Sequence, residues 1–399
     1  MRSFALWNCL LILCLFGEPK NLSAQGSEGA IGDRNDPSPE LSEEGMFARE
    51  ELSTILDFLE IKDNKGISNK QKILEHNTGD SFESSPLFWP GVLWGKTSEV
   101  WHVVNITWHN HDLTGILDLT KFPELKRLII FDWSVDRNAS IRDKDFLELR
   151  LPEKSSLNFL VCSGAGLSRL ELEKQTQLEH LDCDANAIET FDLSRLPLLK
   201  DFSCASPYVK KVVFSFPNRL RSLSLSNDCC QIEDIYKMEH LESFRWDVSR
   251  NLPADFPQHF AECHDFELHK IQSESLDFSK NRELLFLTLA DLPNLTALDL
   301  RNQENLEELE LVNCPELTVL DLRNSEDILY LKLINCPKLR KIVFPACCLE
   351  AVSGDEKIEE DEFREVFPSV KVENVPVKEI EFPDGTRVSI GKFSDDVSE

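Results

Sequence analysis

Cysteines at regular intervals are the residues of this chain whose spacing most directly suggests chemistry. Cys162, Cys183 and Cys204 lie 21 residues apart, and Cys314 and Cys336 lie 22 apart. Such spacing places the thiols above one another on successive turns of a repeating structure, where the small cysteine side chain packs well. Because stacked side chains run parallel, they suit a disulfide poorly. We therefore predict two ladders of buried free thiols.

The other cysteines of the mature chain lie outside these two ladders. They fall near irregular or terminal stretches, where a disulfide is better accommodated. We expect disulfides, if the chain forms any, among Cys229, Cys230, Cys263, Cys347 and Cys348.

Metal and catalytic motifs are weak in this sequence. On a strand, His109 and His111 would point the same way and could chelate zinc, but no third ligand is identifiable. A structural role for these histidines is therefore favoured. No nucleophile motif, phosphate loop, dinucleotide fingerprint or calcium loop is present. The sequence predicts no catalytic residue, no bound metal and no cofactor.

One apolar sequence motif, which we call a phrase, recurs through the chain. The structure that it forms must position these side chains. The phrase consists of two leucine-like residues three apart, followed two residues later by another apolar residue or a cysteine. Phrases begin at Leu157, Leu178, Leu199, Leu220 and Leu241, each 21 after the last, and resume with a spacing of 22 at Leu284, Leu306 and Ile328. Intermediate phrases begin at Leu167, Ile188, Val209, Leu295, Leu317 and Leu339. This period predicts a leucine-rich-repeat solenoid, α/β or mainly β, with a parallel strand ladder.

The residues that alternate with the buried leucines face solvent and form an ordered surface along the solenoid. Mixed charge with a few aromatic side chains is typical of a surface that binds a protein or a glycan. The binding residues that we predict on it are Glu179, His180, Asp182, Arg221, Arg245, Phe286, Tyr330 and Lys332.

The predicted organisation has five parts. Residues 1–24 have the basic start, short apolar run and small-residue end of a signal peptide, so we expect export to the surface, the periplasm or the medium. Residues 25–45 form a polar leader, 46–112 an N-terminal cap with a helix near its start, and 113–349 the repeats. Residues 350–399 form a C-terminal cap and tail. No second segment is apolar enough to span a membrane.

The cap resembles that of plant-type and related bacterial leucine-rich-repeat proteins. Trp89-Pro90-Gly91-Val92 matches its turn loosely, Leu113-Thr114-Gly115-Ile116-Leu117-Asp118-Leu119 matches its first repeat well, and the cysteines of that family's cap are absent. Repeats such as the one that begins at Leu178 resemble those of bacterial secreted and surface proteins, including internalin-type adhesins. The resemblance implies a fold and suggests adhesion or contact with a cell surface.

The repeat period fails at residues 248–263, where Pro253 and Pro257 bar a regular strand, so we predict a loop that interrupts one coil. In the C-terminal cap, residues 354–367 have helical spacing at Ile358, Phe363 and Phe367, and residues 370–393 alternate like strands around an Asp384-Gly385 turn.

The charge composition limits the kind of partner that the chain can bind. The chain has 43 basic and 71 acidic residues and a net charge of -28, which argues against nucleic acid as a partner. Two alternatives to ligand binding remain: a structural envelope component, and an enzyme with its site in the cap or the interruption. N-glycosylation sequons occur at Asn21, Asn105, Asn138 and Asn294.

Overall fold

The computed structural model describes residues 47–76, 82, 85–109, 112–132, 147–154, 156–352, 357–359, 361, 365, 367 and 369–390. The predicted signal peptide and leader lie outside these residues, as do His111, Asn21, Asn138 and Phe363. Three α-helices are present in the described part: α1 (Arg49–Glu60), α2 (Asn69–His76) and α3 (Ile232–Ile235). Short 3-10 helices occupy Pro86–Phe88, Phe256–His259 and Ala346–Val352.

A sheet of 13 strands forms one long side of the molecule. Its first two strands, β1 and β2, are antiparallel, and every later strand lies parallel to its neighbour, one coil apart. In order across the sheet the strands are β1 (Val92–Thr97), β2 (Val100–His109), β4 (Arg127–Phe131), β6 (Phe159–Val161), β7 (His180–Asp182), β9 (Asp201–Ser203), β11 (Ser222–Ser226), β12 (Ser243–Asp247), β13 (Asp265–His269), β15 (Phe286–Ala290), β17 (Glu308–Val312), β19 (Tyr330–Ile334) and β22 (Val370–Glu373). We call its solvent-facing side the strand-lined wall.

Shorter strands line the opposite side of the coils, which we call the second wall. They form three pairs, β3 (Gly115–Asp118) with β5 (Leu147–Arg150), β8 (Thr190–Asp192) with β10 (Lys211–Val213), and β14 (Ser275–Asp277) with β16 (Ala297–Asp299). A sheet of five strands closes the C-terminal end: β18 (Val319–Asp321), β20 (Lys341–Val343), β23 (Glu379–Glu381), β24 (Arg387–Ile390) and β21 (Lys357–Ile358). Two apolar stretches per coil account for the two walls.

The repeated leucines occupy the space between the walls. Leu157, Leu178, Leu199, Leu220 and Leu241 are each at most 3% exposed. Because strand residues alternate in direction, these inward side chains form one apolar spine along the coils. The predicted mainly-β leucine-rich-repeat solenoid is confirmed.

The N-terminal cap covers the first coil with α1 and the β1–β2 hairpin. The predicted helix lies at Arg49–Glu60, with Ile55, Phe58 and Leu59 buried. Helix α2 was missed by the sequence pattern, since its polar residues suggest a loop. Its first residue, Asn69, ties the cap to the repeats: its side chain donates to the carbonyls of Phe58 and Thr114 at 3.0 and 2.9 Å.

Gly91 lies at the closest backbone approach in the cap. Its φ is +67°, and a Cβ there would lie 2.0 Å from the carbonyl oxygen of Thr107. This approach lets the Trp108 indole donate to the carbonyl of Pro90 at 3.1 Å, while the ring stacks on Phe58. The turn in the cap therefore requires glycine at this position.

The interruption at residues 248–263 is part of the core. As its prolines predict, it contains no strand. Its backbone nevertheless continues the coil, because the Asp277 amide donates to the carbonyl of Ala254 at 2.8 Å. The side chains of Phe256 and Phe260 are at most 1% exposed, and the Phe260 ring lies 5.2 Å from that of Phe244. An aromatic cluster thus replaces the leucines of an ordinary coil.

Side-chain amides form a ladder beside the C-terminal ends of the last strands. Asn374 donates to Asn335 at 3.0 Å, Asn335 to Asn313 at 2.8 Å, and Asn313 to Asp291 at 2.6 Å. All four residues have φ between 52° and 59°. Asparagine and aspartate tolerate this left-handed conformation, which turns the chain out of each strand.

The C-terminal cap departs from its predicted pattern. Ile358 lies in β21 rather than in a helix, because its side chain joins the core from the edge of the five-stranded sheet. Strand β22 extends the main sheet by one more parallel strand. Phe367 stacks on Phe344 with ring centroids 4.8 Å apart, which links the cap to the last coil.

All ten cysteines in the described residues are free thiols. Cys162, Cys183 and Cys204 are at most 1% exposed, and the sulfurs of Cys162 and Cys183 lie 3.2 Å apart. Cys314 and Cys336 are also buried. The disulfides considered among Cys229, Cys230, Cys263, Cys347 and Cys348 are not formed in the structure, and the first three of these residues pack in the core as small apolar side chains.

Candidate functional site

The strand-lined wall spreads the eight predicted binding residues along most of its length. His180 and Asp182 lie on β7, Arg245 on β12, Phe286 on β15, and Tyr330 and Lys332 on β19. Glu179 and Arg221 directly precede β7 and β11, where they form exposed ion pairs with Lys200 and Glu242 at 2.5 and 2.8 Å. The structure does not bring the eight residues into one cluster. Three parts of the wall differ in their side chains and contacts.

The N-terminal part of the wall contains a stack that crosses four coils. The guanidinium of Arg127 lies 4.1 Å above the Phe159 ring, and the His180 ring stacks on Phe159 at 4.3 Å and 7°. Nδ1 of His180 lies 3.4 Å from the Asp201 carboxylate. Through these contacts, His180 links neighbouring coils of the solenoid.

Asp182 stabilises the loops that follow the strands. Its carboxylate accepts hydrogen bonds from the Ser163 hydroxyl at 2.5 Å and from the Asp184 amide at 3.1 Å. The side chain is mostly buried. Its hydrogen bonds show a structural role within the wall.

The centre of the wall carries a compact polar network. Arg245 is the one member of this network that was predicted from the sequence. Glu267 accepts from Arg245 at 3.1 Å and lies 2.5 Å from Nε2 of His269. The Ser243 hydroxyl donates to Asp265 at 3.2 Å. Residues 265, 267 and 269 are spaced by two, as outward-facing residues of a strand are. They could not be assigned to the wall from sequence because they directly follow the interruption, where the repeat register is lost.

Burial raises the pKa of the Asp265 carboxyl to about 7, and the neighbouring Glu267 charge adds to this effect. The hydrogen bond from Ser243 and the charge of Arg245 oppose it. At a pH between the ordinary aspartate pKa and 7, Asp265 is therefore protonated in the folded chain and ionised in the unfolded one.

This difference predicts a pH-dependent effect of Asp265→Asn. As pH rises from about 4 to about 7, the wild type loses stability because only the unfolded state releases the proton, and above about 7 the loss is complete. The variant has no proton to release. We expect its stability relative to wild type to improve by about 1–2 kcal/mol between pH 5 and pH 8, a discounted fraction of ~1.4 kcal/mol per pKa unit.

Urea unfolding of both proteins at the two pH values measures this difference. Asp255→Asn, at an exposed position ten residues earlier in the interruption, is the control and should show no such change. An equal stability difference between Asp265→Asn and wild type at both pH values would contradict the prediction.

The C-terminal part of the wall carries two parallel rows, each with an acidic residue between apolar ones. The first row is Leu285, Glu307 and Leu329, joined by backbone hydrogen bonds of 2.9 and 2.8 Å between successive residues. The second is Phe286, Glu308 and Tyr330, which face one another directly across β15, β17 and β19. We call these six residues the C-terminal patch.

The carboxylates of the C-terminal patch differ from the neighbouring Glu310 in their ion pairing. Neither Glu307 nor Glu308 forms an ion pair with any residue that the structure describes, whereas the adjacent Glu310 pairs with Lys332 at 2.9 Å. Burial raises the pKa of Glu308, and the charges of Glu310 and Glu307 raise it further. Leu329 beside them is 65% exposed. The patch thus combines accessible apolar surface with two carboxylates that pair with no described cation, while Lys371 Nζ lies over the Tyr330 ring at 5.3 Å.

The remaining chemical candidates do not assemble into a site. His109 packs edge-on against Phe131 with ring centroids 4.5 Å apart, and His111 is not among the described residues. Within the described ranges, no three His, Cys, Asp or Glu side chains are arranged to hold a metal ion. No helix in the same ranges has the length and apolar character needed to cross a membrane.

Comparison with known proteins finds similarity at the level of fold. No protein-family profile matches the chain, and no curated protein matches it. The chain is similar to the functional domain of InlJ from Listeria monocytogenes, which includes a cysteine ladder, at 18% identity and a TM-score of 0.43. The similarity covers 69% of this chain and 64% of that one, so the chain spans less than two thirds of the length of the InlJ domain.

Two further solved structures have comparable similarity. A leucine-rich-repeat protein of Leptospira interrogans has 15% identity and a TM-score of 0.34, over 64% of this chain and 74% of that one. The ectodomain of the Arabidopsis receptor kinase HAESA, solved with a peptide hormone, has 16% identity and a TM-score of 0.44, over 84% and 66%. The 21- and 22-residue periods, the parallel ladder and the leucine spine together identify the fold as a leucine-rich-repeat solenoid.

Proposed function

We propose that this chain is an exported, non-enzymatic protein that binds a protein partner through the C-terminal patch of its strand-lined wall. The observation that supports this proposal is that exposed Leu329 lies beside the carboxylates of Glu307 and Glu308, which form no ion pair with a described residue. The signal-like sequence of residues 1–24 supports export, and adhesion to a cell surface is the setting that the internalin-type repeats suggest.

The chemistry of the patch favours a partner segment that carries both basic and apolar side chains. An arginine or lysine placed between Glu307 and Glu308 would relieve the repulsion between two partly desolvated carboxylates. Leu285, Phe286, Leu329 and Tyr330 on either side would bury apolar area around the ion pair and exclude water. A glycan without positive charge would gain only the second contribution.

A capture experiment with matched variants tests this proposal. Leu329→Asp places a negative charge in the patch. Val319→Asp places the same charge at an exposed apolar position of the five-stranded C-terminal sheet, where Val319 is 44% exposed. Proteins captured by the immobilised wild-type chain should be retained by Val319→Asp. With Leu329→Asp, their affinity should fall at least about tenfold, the effect of losing about 1.4 kcal/mol at an interface centre.

Salt and charge reversal provide the second readout. Captured partners should dissociate faster from the wild-type chain as salt rises, because screening weakens the ion pairs at the patch. Glu308→Lys should abolish the binding at low salt as well. Equal capture by the Leu329→Asp and Val319→Asp variants would rule out the patch as the binding surface.

A further inference from the structure

Two adjacent cysteines lie in the 3-10 helix that leaves the last coil of the solenoid. Cys347 and Cys348 occupy positions near the start of Ala346–Val352, and their sulfurs are 4.0 Å apart. Cys347 is exposed, and its thiol faces the carbonyl of Glu326 at 3.7 Å. Cys348 is half-buried and packs against the core. The pair therefore combines one accessible sulfur with one sheltered sulfur within reach of it.

The other cysteines differ sharply from this pair. All eight of them within the described ranges are buried. Burial raises the pKa of the Cys183, Cys204 and Cys263 thiols, so the reactive thiolate form is scarce as well as inaccessible. A disulfide reagent that approaches the folded chain can therefore reach a thiol at the 347–348 pair and at no other described cysteine.

We propose that Cys347 and Cys348 form a thiol–disulfide exchange site, in which Cys347 attacks a partner disulfide and Cys348 resolves the product. In the first step the Cys347 thiolate bonds to one sulfur of the partner and expels the other as a thiolate, which takes up a proton. In the second step the Cys348 thiolate attacks the Cys347 sulfur and expels the remaining partner thiol. The balance is one partner disulfide reduced to two thiols and one protein dithiol oxidised to a disulfide.

The order of the two steps follows from the environments of the two sulfurs. An exposed sulfur can align with a disulfide that approaches from solvent, whereas Cys348 is shielded by the core on one side. Burial, and then the neighbouring Cys347, raise the pKa of the Cys348 thiol to about 12. Because thiolate is the attacking species, the resolving step should accelerate as pH rises.

Closure of the disulfide requires movement in this segment. The sulfurs must approach from 4.0 Å to about 2.05 Å, the length of an S–S bond. That movement repositions at least one of the two side chains within residues 346–352. The oxidised and reduced forms should therefore differ at the junction between the repeats and the C-terminal cap.

Treatment of the folded full chain with glutathione disulfide, followed by acid quenching and mass spectrometry, tests the proposal. The wild type should lose two hydrogens at Cys347–Cys348 and retain little glutathione. Cys348→Ser should retain one glutathione on Cys347, and Cys347→Ser should react at least about tenfold more slowly. The wild-type mixed disulfide should be shorter-lived at about pH 9 than at about pH 7.

Two results would contradict the proposed thiol–disulfide exchange site. One is reaction of Cys347→Ser as fast as wild type, and the other is wild-type glutathionylation that persists equally at both pH values. Circular dichroism of each variant checks that it is folded, and labelling in denaturant shows that the buried cysteines react only once exposed. Because none of these readouts involves the C-terminal patch, the outcome is independent of the proposed binding function.

Discussion

Replacing Phe260 by alanine is expected to lower the free energy of unfolding by about 3–5 kcal/mol, the usual cost of removing a buried phenylalanine. Phe260 is 1% exposed and its ring contacts those of Phe244, Phe256 and Phe266 at 5.2 to 6.0 Å. Truncation would leave a cavity inside a coil that has no strand on its second wall. The neighbouring coils would then lose packing on both sides of the gap.

Urea unfolding of Phe260→Ala measures this loss, and Asp255→Ala is the matched control. Asp255 lies in the same irregular segment but is exposed, so its replacement should change stability by no more than about 0.5 kcal/mol. If the segment were a loop that only hangs from the solenoid, the two substitutions would have similarly small effects. That outcome would refute the description of residues 248–263 as part of the core.

Gly91→Ala is the second substitution with a large expected effect. A Cβ at this position would overlap the Thr107 carbonyl oxygen at 2.0 Å and contact the Trp108 ring at 2.8 Å. The positive φ costs an alanine about 1–2 kcal/mol, and forced repacking adds about 1–3 kcal/mol. We expect a total loss of about 2–5 kcal/mol, measured as a lower midpoint of urea unfolding.

Gly66 provides the control because it shares the conformation without the crowding. Its φ is +81°, and a Cβ added to it would have no neighbouring atom within 4 Å. Gly66→Ala should therefore lose only the conformational part, about 1–2 kcal/mol. Equal losses at the two glycines would show that the close approach of the Gly91 backbone to β2 contributes nothing to stability.

The regular part of the fold was predictable because leucines such as Leu178 and Leu199 recur in a fixed register with the strands. The cap helix α1 was also predictable, since Ile55 and Leu59 lie one turn apart on its buried face. Helix α2 could not be found this way because Ile73 is its one fully buried apolar residue, while Asn69 is held by hydrogen bonds to distant carbonyls. Local pattern carries no information about such distant partners.

The candidate site was only partly predictable, for a related reason. Alternation along β19 correctly placed Tyr330 and Lys332 on the outer face of the wall. It could not distinguish Lys332, which is paired with Glu310, from Glu308, which no described cation neutralises. Within the repeat pattern, Glu307 and Glu308 look like ordinary solvated carboxylates. Their environment depends on the neighbouring coils.

The amide ladder from Asn374 to Asp291 has a direction: each carboxamide gives its protons to the coil before it, and the series ends at a carboxylate that only accepts. Asn313 and Asn335 are each 22 residues after their acceptor and play the same part. A gene that gained or lost one whole 22-residue unit would therefore keep every link intact, with Asp291 still as the terminus. The number of 22-residue units can therefore change without altering the hydrogen bonds of the ladder.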